Sequence, residues 1–473
     1  MGELRLGTVK VFNHHMHKSF LWLLLIETLV LVLAFHLGGQ LYWHIHGDGH
    51  TANFDGMFSR AVLFALCAIA AMMAMGLYQP HLREGTTGIV LRTTGAFIIT
   101  VLTTSMVFYF MPGLYIWRGV FVYAVAIAYS ASLLSRWCFE RFVSMDQLKS
   151  RVLVYGTGKA ASSILRSMRR KTDRRSTTFE GFCRIPGEAD QVDERYIIAV
   201  DDSLLEFCNK RDINRIVVAP DSYRELLPME QLLECKLHNI RVMDVATFME
   251  SETGKIMLDH IKPSTIVFSE GFRQNSLATL LKRVFDIAAS LLLIILTWPL
   301  LLLTIIAIWI EDGFGAPIIY RQTRVGLYGK HFDVMKIRSM SVNAESDGKA
   351  QWAQKNDARI TKVGSFIRRT RIDELPQVFN VLAGDMAFVG PRPERPEFVE
   401  QLAASIPYYN VRHAVKPGIT GWAQLRYPYG ASEHDSRQKL QYDLYYVKNA
   451  SLFLDFTILL TTFEVVVHGN GVR

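Results

Sequence analysis

The sequence predicts a membrane protein of the α plus α/β class built in three successive parts. Three observations carry that expectation. Four long apolar stretches fall within the first 145 residues, a strand followed by a glycine turn opens the next 120, and a fifth uncharged run begins a basic, aromatic C-terminal part. The 473 residues are 50% hydrophobic yet 20% charged, a mixture that suits membrane segments joined to folded domains. The expected parts are 1–145, a bundle of four transmembrane helices; 146–265, a parallel α/β domain; and 266–473, a C-terminal domain with a membrane-dipping helix at about 284–310.

The four apolar stretches run from Ser19 to Leu37, Ala61 to Leu77, Gly95 to Phe110 and Val120 to Leu134. Each approaches the ~20 residues that cross a bilayer. Arg5, Lys10 and Lys18 precede the first, Arg83 and Arg92 separate the second from the third, and Arg136, Arg141, Lys149 and Arg151 follow the fourth. All three groups belong to one side and are read as cytoplasmic, which leaves the remainder of the chain inside. Glu27 lies within the first span, where a carboxylate marks either a functional site or a contact with the helix bundle. His44, His46 and His50 read as a solvated outer loop. The five cysteines, Cys67, Cys138, Cys183, Cys208 and Cys235, lack the short paired spacing of a disulfide framework or a zinc site.

In the middle part, Val152 to Tyr155 reads as a buried strand running into Gly156-Thr157-Gly158-Lys159-Ala160-Ala161, with a helix continuing to about Met168. This is a dinucleotide-type glycine turn, whose expected acidic partner is represented only by Glu180. Further strands at Thr178 to Cys183, Tyr196 to Val200, Arg215 to Ala219 and Ile240 to Asp244 alternate with helical segments. A retained fold without ligand binding is favoured over a nucleotide site, because fold does not fix function. The basic run Arg166 to Arg175 reads as a solvated or membrane-facing patch.

The run Ile287 to Ile310 is long enough for a fifth span, but its flanks disagree. Lys282 and Arg283 stand before it and Arg321, Arg324, Lys330, Lys336 and Arg338 after it, so both ends carry the cytoplasmic signature. Pro299 in its middle removes a backbone hydrogen bond, and a helix that breaks at Trp298-Pro299 and returns to the same face satisfies both observations. A straight span with a mild kink is the alternative. Near the C-terminus Tyr408, Tyr409, Tyr427, Tyr429, Tyr442, Tyr445 and Tyr446 accompany Arg412, Arg426 and Arg437, a pattern read as a headgroup belt. Leu452 to Val467 reads as an interfacial helix, its aromatic and aliphatic positions being equally compatible with ordinary core.

The chemistry concentrates in Arg368-Arg369-Thr370-Arg371-Ile372-Asp373-Glu374-Leu375-Pro376-Gln377 and in Gly384 to Pro393. Adjacent carboxylates beside arginines, ahead of a proline-bracketed Arg392, suit a polyanionic phosphate substrate: a carboxylate attacks phosphorus and guanidinium groups hold its oxygens. On composition alone, a surface ion-pair cluster explains the same residues. Lys336 and Arg338 are further candidate phosphate ligands. The net charge of +8 accompanies membrane signals and no nucleic-acid motif, so a nucleic-acid partner is not expected.

These segments, with Lys282 to Asp286, Asp333 to Met340, Val389 to Pro393 and Lys416 to Gln424 in order, resemble the bacterial sugar transferases, monotopic phosphoglycosyl transferases that start exopolysaccharide and O-antigen repeat units. The middle part likewise resembles the Rossmann-like module of larger members, and a re-entrant helix is a family feature. The resemblance implies transfer of hexose-1-phosphate, glucose or galactose first, from a UDP-sugar to undecaprenyl phosphate with loss of UMP. It implies Asp373 as nucleophile, forming an aspartyl phosphosugar, and Glu374 as holder of a magnesium ion. Arg392, then Lys336, Arg338, Arg369 and Arg426, are the expected substrate-binding residues. Ala387 and Arg371 depart from the family's usual serine and uncharged residue. The implied setting is the bacterial inner membrane, multi-pass, with the catalytic domain at the cytoplasmic face among inner-membrane lipids, as a homodimer. A membrane-anchored nucleotide-binding regulator or a scaffold of polysaccharide assembly is the alternative.

Overall fold

A computed structural model of the chain describes residues 8–11, 14–46, 56–78, 85–142, 149–168, 177–200, 203–221, 227–258, 276–341, 359–427, 430 and 432–468. Arg5, His50, Arg83, Tyr429 and the part of the basic run from 169 to 175 lie outside the described residues, as do the side chains of Lys10 and Lys18. Two compact units divide between Phe248 and Met249.

The first unit begins with a short hairpin, β1 (Thr8–Val11) and β2 (His14–His17), and continues into α1 (Lys18–His46), α2 (Met57–Ala74), α3 (Gly85–Phe110) and α4 (Arg118–Phe142). All four helices are long and apolar enough to cross a membrane. Small residues set how closely they approach. A Cβ on Gly38 of α1 would overlap the Ala124 backbone of α4, and one on Gly119 would enter the Tyr42 ring. Outward faces stay apolar, with Trp22, Leu29, Leu66, Leu102 and Leu134 exposed, as expected of surface that meets lipid rather than water. Glu27 is instead fully buried, bonded to Arg136 of α4 at 2.7 Å and to the Tyr78 hydroxyl.

The same unit holds a parallel four-stranded sheet in the order β4-β3-β5-β6, formed by β3 (Ser150–Tyr155), β4 (Thr177–Cys183), β5 (Arg215–Val218) and β6 (Arg241–Asp244). Helices α5 (Lys159–Ser167), α6 (Leu204–Lys210), α7 (Met229–Leu237) and α8 (Val245–Thr253) alternate with the strands. Leu153, Ile216, Leu204, Cys208 and Cys235 form its core, and all five cysteines are free thiols. Tyr196 to Val200 is not the expected strand. A 3-10 turn over Glu194–Tyr196, capped by Asp193, precedes a single bridge from Ile197 to Phe182. Ile198 and Val200 still pack against the core, but no residue of the segment is fully buried and its backbone pairs with β4 only at that bridge.

The second unit is organised by a 37-residue helix, Ser276–Asp312, which stays helical through Trp298 and Pro299, where the sequence predicted a break; a proline removes one backbone hydrogen bond without ending a helix that is otherwise apolar and continuous. Both of its ends are fastened within the unit. Near the start, Lys282 bonds Asp455 at 2.5 Å and the Val389 carbonyl at 3.2 Å, Arg283 bonds the carbonyls of Val381 and Leu382, and Asp286 accepts from Phe388 N at 3.1 Å. At the far end, Glu311 accepts from the backbone of Lys362 and Val363, and Asp312 pairs with Arg338 at 2.6 Å. The face between them leaves Leu292, Ile295, Leu296, Trp298 and Leu303 exposed.

An antiparallel hairpin, β7 (Ile319–Val325) and β8 (His331–Ile337), and a short parallel pair, β9 (Ala387–Val389) and β10 (Gly418–Thr420), complete the framework. Val334, Val378, Val381, Met386, Val389, Trp422 and Tyr446 form its core. Two expectations fail here. Tyr409, Arg412 and Tyr446 are buried rather than arrayed as a headgroup belt, because Arg412 finds Asp443 at 2.8 Å and Tyr446 donates to Asp455 at 2.7 Å. The last helix, Leu452–His468, is not an interfacial helix over its described first half: Leu454 and Ile458 enter the core and Asp455 is buried beside Lys282.

Candidate functional site

Asp373 and Glu374 sit in a one-turn 3-10 helix, Ile372–Glu374, between the helices Lys362–Arg369 and Gln377–Ala383. The turn is entered through Arg371 in the left-handed region at φ 61°, a conformation that costs a non-glycine residue ~1 kcal/mol and clusters at functional sites. Pro376 at the head of the next helix and Gly384 at φ 97° after it bound that helix at both ends.

Glu374 is the hub. Its Oε1 lies 3.1 Å from Arg392 Nη2, 3.5 Å from Arg371 Nη1 and 3.6 Å from Lys336 Nζ. Burial alone would raise its pKa, but the charges of Arg392, Lys336 and Arg371 outweigh it and bring the carboxyl to about 2. Lys336 shows the other side of the same excess of cations. Burial, reinforced by Arg392 and Arg324 and only partly opposed by Glu374, brings its ammonium down to about 8. Asp373 is buried, and its Oδ1 has no hydrogen-bond partner among the described residues. Burial and then the Glu374 charge push its carboxyl above the usual range, against Lys336, Arg368 and Arg371.

Of the residues expected from sequence, Asp373, Glu374, Lys336 and Arg392 come together. Arg338 is committed to Asp312 at the end of the long helix, Arg369 is exposed, and Arg426 lies 4.3 Å over the Trp422 ring. Arg368, one position earlier on its helix, supplies charge to Asp373 instead. Sequence reasoning read Arg324 only as a charged flank and Arg412 only as part of a tyrosine belt, and it did not single out Asp443.

Glycines bring the neighbouring turns into backbone contact. A Cβ on Gly390 would overlap the Lys416 carbonyl, and one on Gly418 would overlap the Gly390 backbone, so the turn after β9 packs directly on the backbone of Lys416 to Gly418 because both positions lack side chains. The carboxylates of Asp373 and Glu374 are hard oxygen donors, and an unbonded Asp373 oxygen is chemically suited to magnesium, which commonly takes one or two carboxylates beside substrate phosphates.

In the other unit, the glycine turn after β3 faces a carboxylate of the chain itself. Asp221 accepts from Lys159 N at 2.9 Å and Ala160 N at 2.8 Å, the N–H groups at the start of α5 that a dinucleotide pyrophosphate uses in this kind of turn. Gly158 has no room for a Cβ because Asp221 fills the space. Glu180 pairs with Arg151 at 3.8 Å.

Comparison with known proteins matches residues 277–469 to the bacterial sugar transferase family. Over 242 residues the chain is 42% identical to a UDP-N-acetylgalactosamine-undecaprenyl-phosphate N-acetylgalactosaminephosphotransferase of Aeromonas hydrophila, covering 51% of this chain and 56% of that protein. It is 38% identical over 276 residues to a UDP-glucose:undecaprenyl-phosphate glucose-1-phosphate transferase of Klebsiella pneumoniae, 57% of this chain and 58% of that one. An uncharacterised sugar transferase of Bacillus subtilis is 39% identical over 198 residues, which are 41% of this chain and 91% of the relative. The chain thus spans a little over half the length of the first two relatives.

Proposed function

The chain belongs to the bacterial sugar transferase family, and on that premise we propose that it moves hexose-1-phosphate from a UDP-sugar to undecaprenyl phosphate and releases UMP. The donor is of the glucose, galactose or N-acetylgalactosamine kind that the relatives' names carry. The observation that carries the reading is a buried Asp373 with an unbonded oxygen, next to a Glu374 held by three cations.

In the first step an Asp373 oxygen attacks the phosphorus bonded to the sugar. The bond from that phosphorus to the bridging oxygen breaks, UMP leaves, and Asp373 carries the phosphosugar. An oxygen of the lipid phosphate then attacks the same phosphorus and displaces Asp373, giving the lipid diphosphate sugar and the free carboxylate. Arg392 and Lys336, both beside Glu374, would supply the positive charge that stabilises phosphate oxygens as they gain charge. Glu374 would help hold the magnesium ion, which when bound supplies further neutralisation of the diphosphate.

We read α1–α4 as a transmembrane four-helix bundle in the bacterial inner membrane, followed by a Rossmann-like domain and a cytoplasmic, monotopic catalytic domain. For the re-entrant course of Ser276–Asp312, the support is that both ends are fastened to one unit. A straight helix would set Asp286 and Glu311 about 37 Å apart, more than the bilayer's hydrocarbon thickness. The homodimer rests on the family resemblance.

The test is UMP release by the purified full chain from UDP-glucose, UDP-galactose and UDP-N-acetylgalactosamine, with undecaprenyl phosphate and magnesium. Turnover with one donor, requiring the lipid and abolished by EDTA, is expected; no release from any donor would remove the reading.

The competing nucleotide-sensor reading needs an open glycine turn, whereas Asp221 occupies this one. Calorimetric titration with NAD or ADP is expected to show no saturable binding to the middle domain up to ~1 mM. Micromolar binding lost on substitution of Gly158 would reverse that expectation.

A further inference from the structure

The turn that carries Arg392 contains Pro391 and Pro393, and prolines have no N–H to offer a backbone ladder. Its carbonyls are nevertheless all taken. Gly418 N donates to Pro391 O at 3.0 Å, Arg412 Nη2 to Arg392 O at 3.0 Å, Arg324 Nη1 to Pro393 O at 3.1 Å, and Val325 N to Glu394 O at 3.0 Å. Four consecutive carbonyls are thus held from three separate segments, and two of the donors are guanidinium groups.

Each guanidinium is anchored in turn. Arg412 is 6% exposed; it donates to Asp443 Oδ2 at 2.8 Å and to the Tyr409 hydroxyl at 2.7 Å. Asp443, 2% exposed, lies on the helix Glu433–Asn449. Arg324 donates to Gln322 at 2.5 Å and lies 3.6 Å from Glu394. Placing charges inside a domain is unfavourable unless they are paired and their donors used, and here the uses converge on one turn.

We propose that Arg412 and Arg324, with Asp443 orienting Arg412, are positioning residues for the transfer reaction. They hold the backbone from which Arg392 reaches Glu374 at 3.1 Å. The proposal rests on the transferase reading for its kinetic consequence but not for its structural one. Lysine is a poor substitute at either position, because each guanidinium spreads its bonds over two nitrogens: Arg412 Nη2 serves the Arg392 carbonyl and Asp443 while Nη1 serves Tyr409, and Arg324 Nη1 serves the Pro393 carbonyl while Nη2 serves Gln322.

The experiment compares Arg412→Lys, Arg324→Lys and Arg392→Ala singly and in combination in the UMP-release assay, with hydrogen–deuterium exchange of residues 390–396 on the same full-length proteins. Each lysine variant is expected to lower kcat/KM about 10-fold or more through misplacement of Arg392. Neither is expected to add to the loss in an Arg392→Ala background, and exchange should quicken in 390–396 ahead of the flanking elements. Losses that multiply with Arg392→Ala, or exchange unchanged in the turn, would overturn the proposal. A wild type that releases no UMP overturns the transferase reading instead, and the exchange data alone then decide whether the two guanidiniums hold the turn.

Discussion

Asp373→Asn is expected to lower UMP release by ~10³-fold or more, because an amide in place of the carboxylate cannot form the proposed aspartyl phosphosugar. Asparagine has nearly the same shape, and the site is already one in which burial and the neighbouring Glu374 charge disfavour an ionised Asp373. The variant is therefore expected to keep its thermal midpoint, so lost turnover reads as lost chemistry. Glu374 does not stand in for it, since its Oε1 is engaged by Arg392, Arg371 and Lys336. Release retained at a tenth of wild type or above would place the nucleophile elsewhere.

The second large effect belongs to the apolar helices. Arg136→Met is expected to destabilise them by ~3–5 kcal/mol, measured as a shift in the unfolding midpoint in detergent micelles. Arg136 is 2% exposed and Glu27 wholly buried. The pair is 2.7 Å apart, and Arg136 also reaches the Leu77 carbonyl at 3.3 Å while Tyr78 and Ser135 donate to Glu27. Losing the arginine strands a carboxylate that no water reaches. That is a different case from one neutral hydrogen bond between membrane helices, which contributes only ~0.6 kcal/mol. Removing both charges in Glu27→Leu with Arg136→Met is expected to restore most of the loss. If Glu27→Gln kept full stability but abolished transfer, Glu27 would be functional rather than a fastening between α1 and α4.

What was legible in the sequence was local. Asp373 and Glu374 are neighbours in the chain, Arg392 stands between two prolines, and the glycine turn follows an apolar strand, so each announces itself within ten residues. What was not legible depends on chain segments that meet only in space. Asp221 lies about sixty residues beyond the turn it fills, and nothing nearby marks it. Arg412 stands among tyrosines that look like a membrane belt until Asp443, thirty-one residues later, is found beside it. Helical phase decides between Arg368 and Arg369, and the run of arginines gives no phase of its own. Tyr196 to Val200 has the alternation of a strand, yet a strand also needs a partner along its length, and only Ile197 finds one.

The turn from Pro391 to Glu394 also bears on the entropy of binding. Ordering the backbone of one residue costs roughly 1–2 kcal/mol, and a flexible loop meets that cost each time it closes on a substrate. With every carbonyl of this turn already bonded, the ordering is completed when the chain folds. On the proposed transferase reading, a substrate phosphate then meets an Arg392 whose side chain is itself already bonded to Glu374 at 3.1 Å.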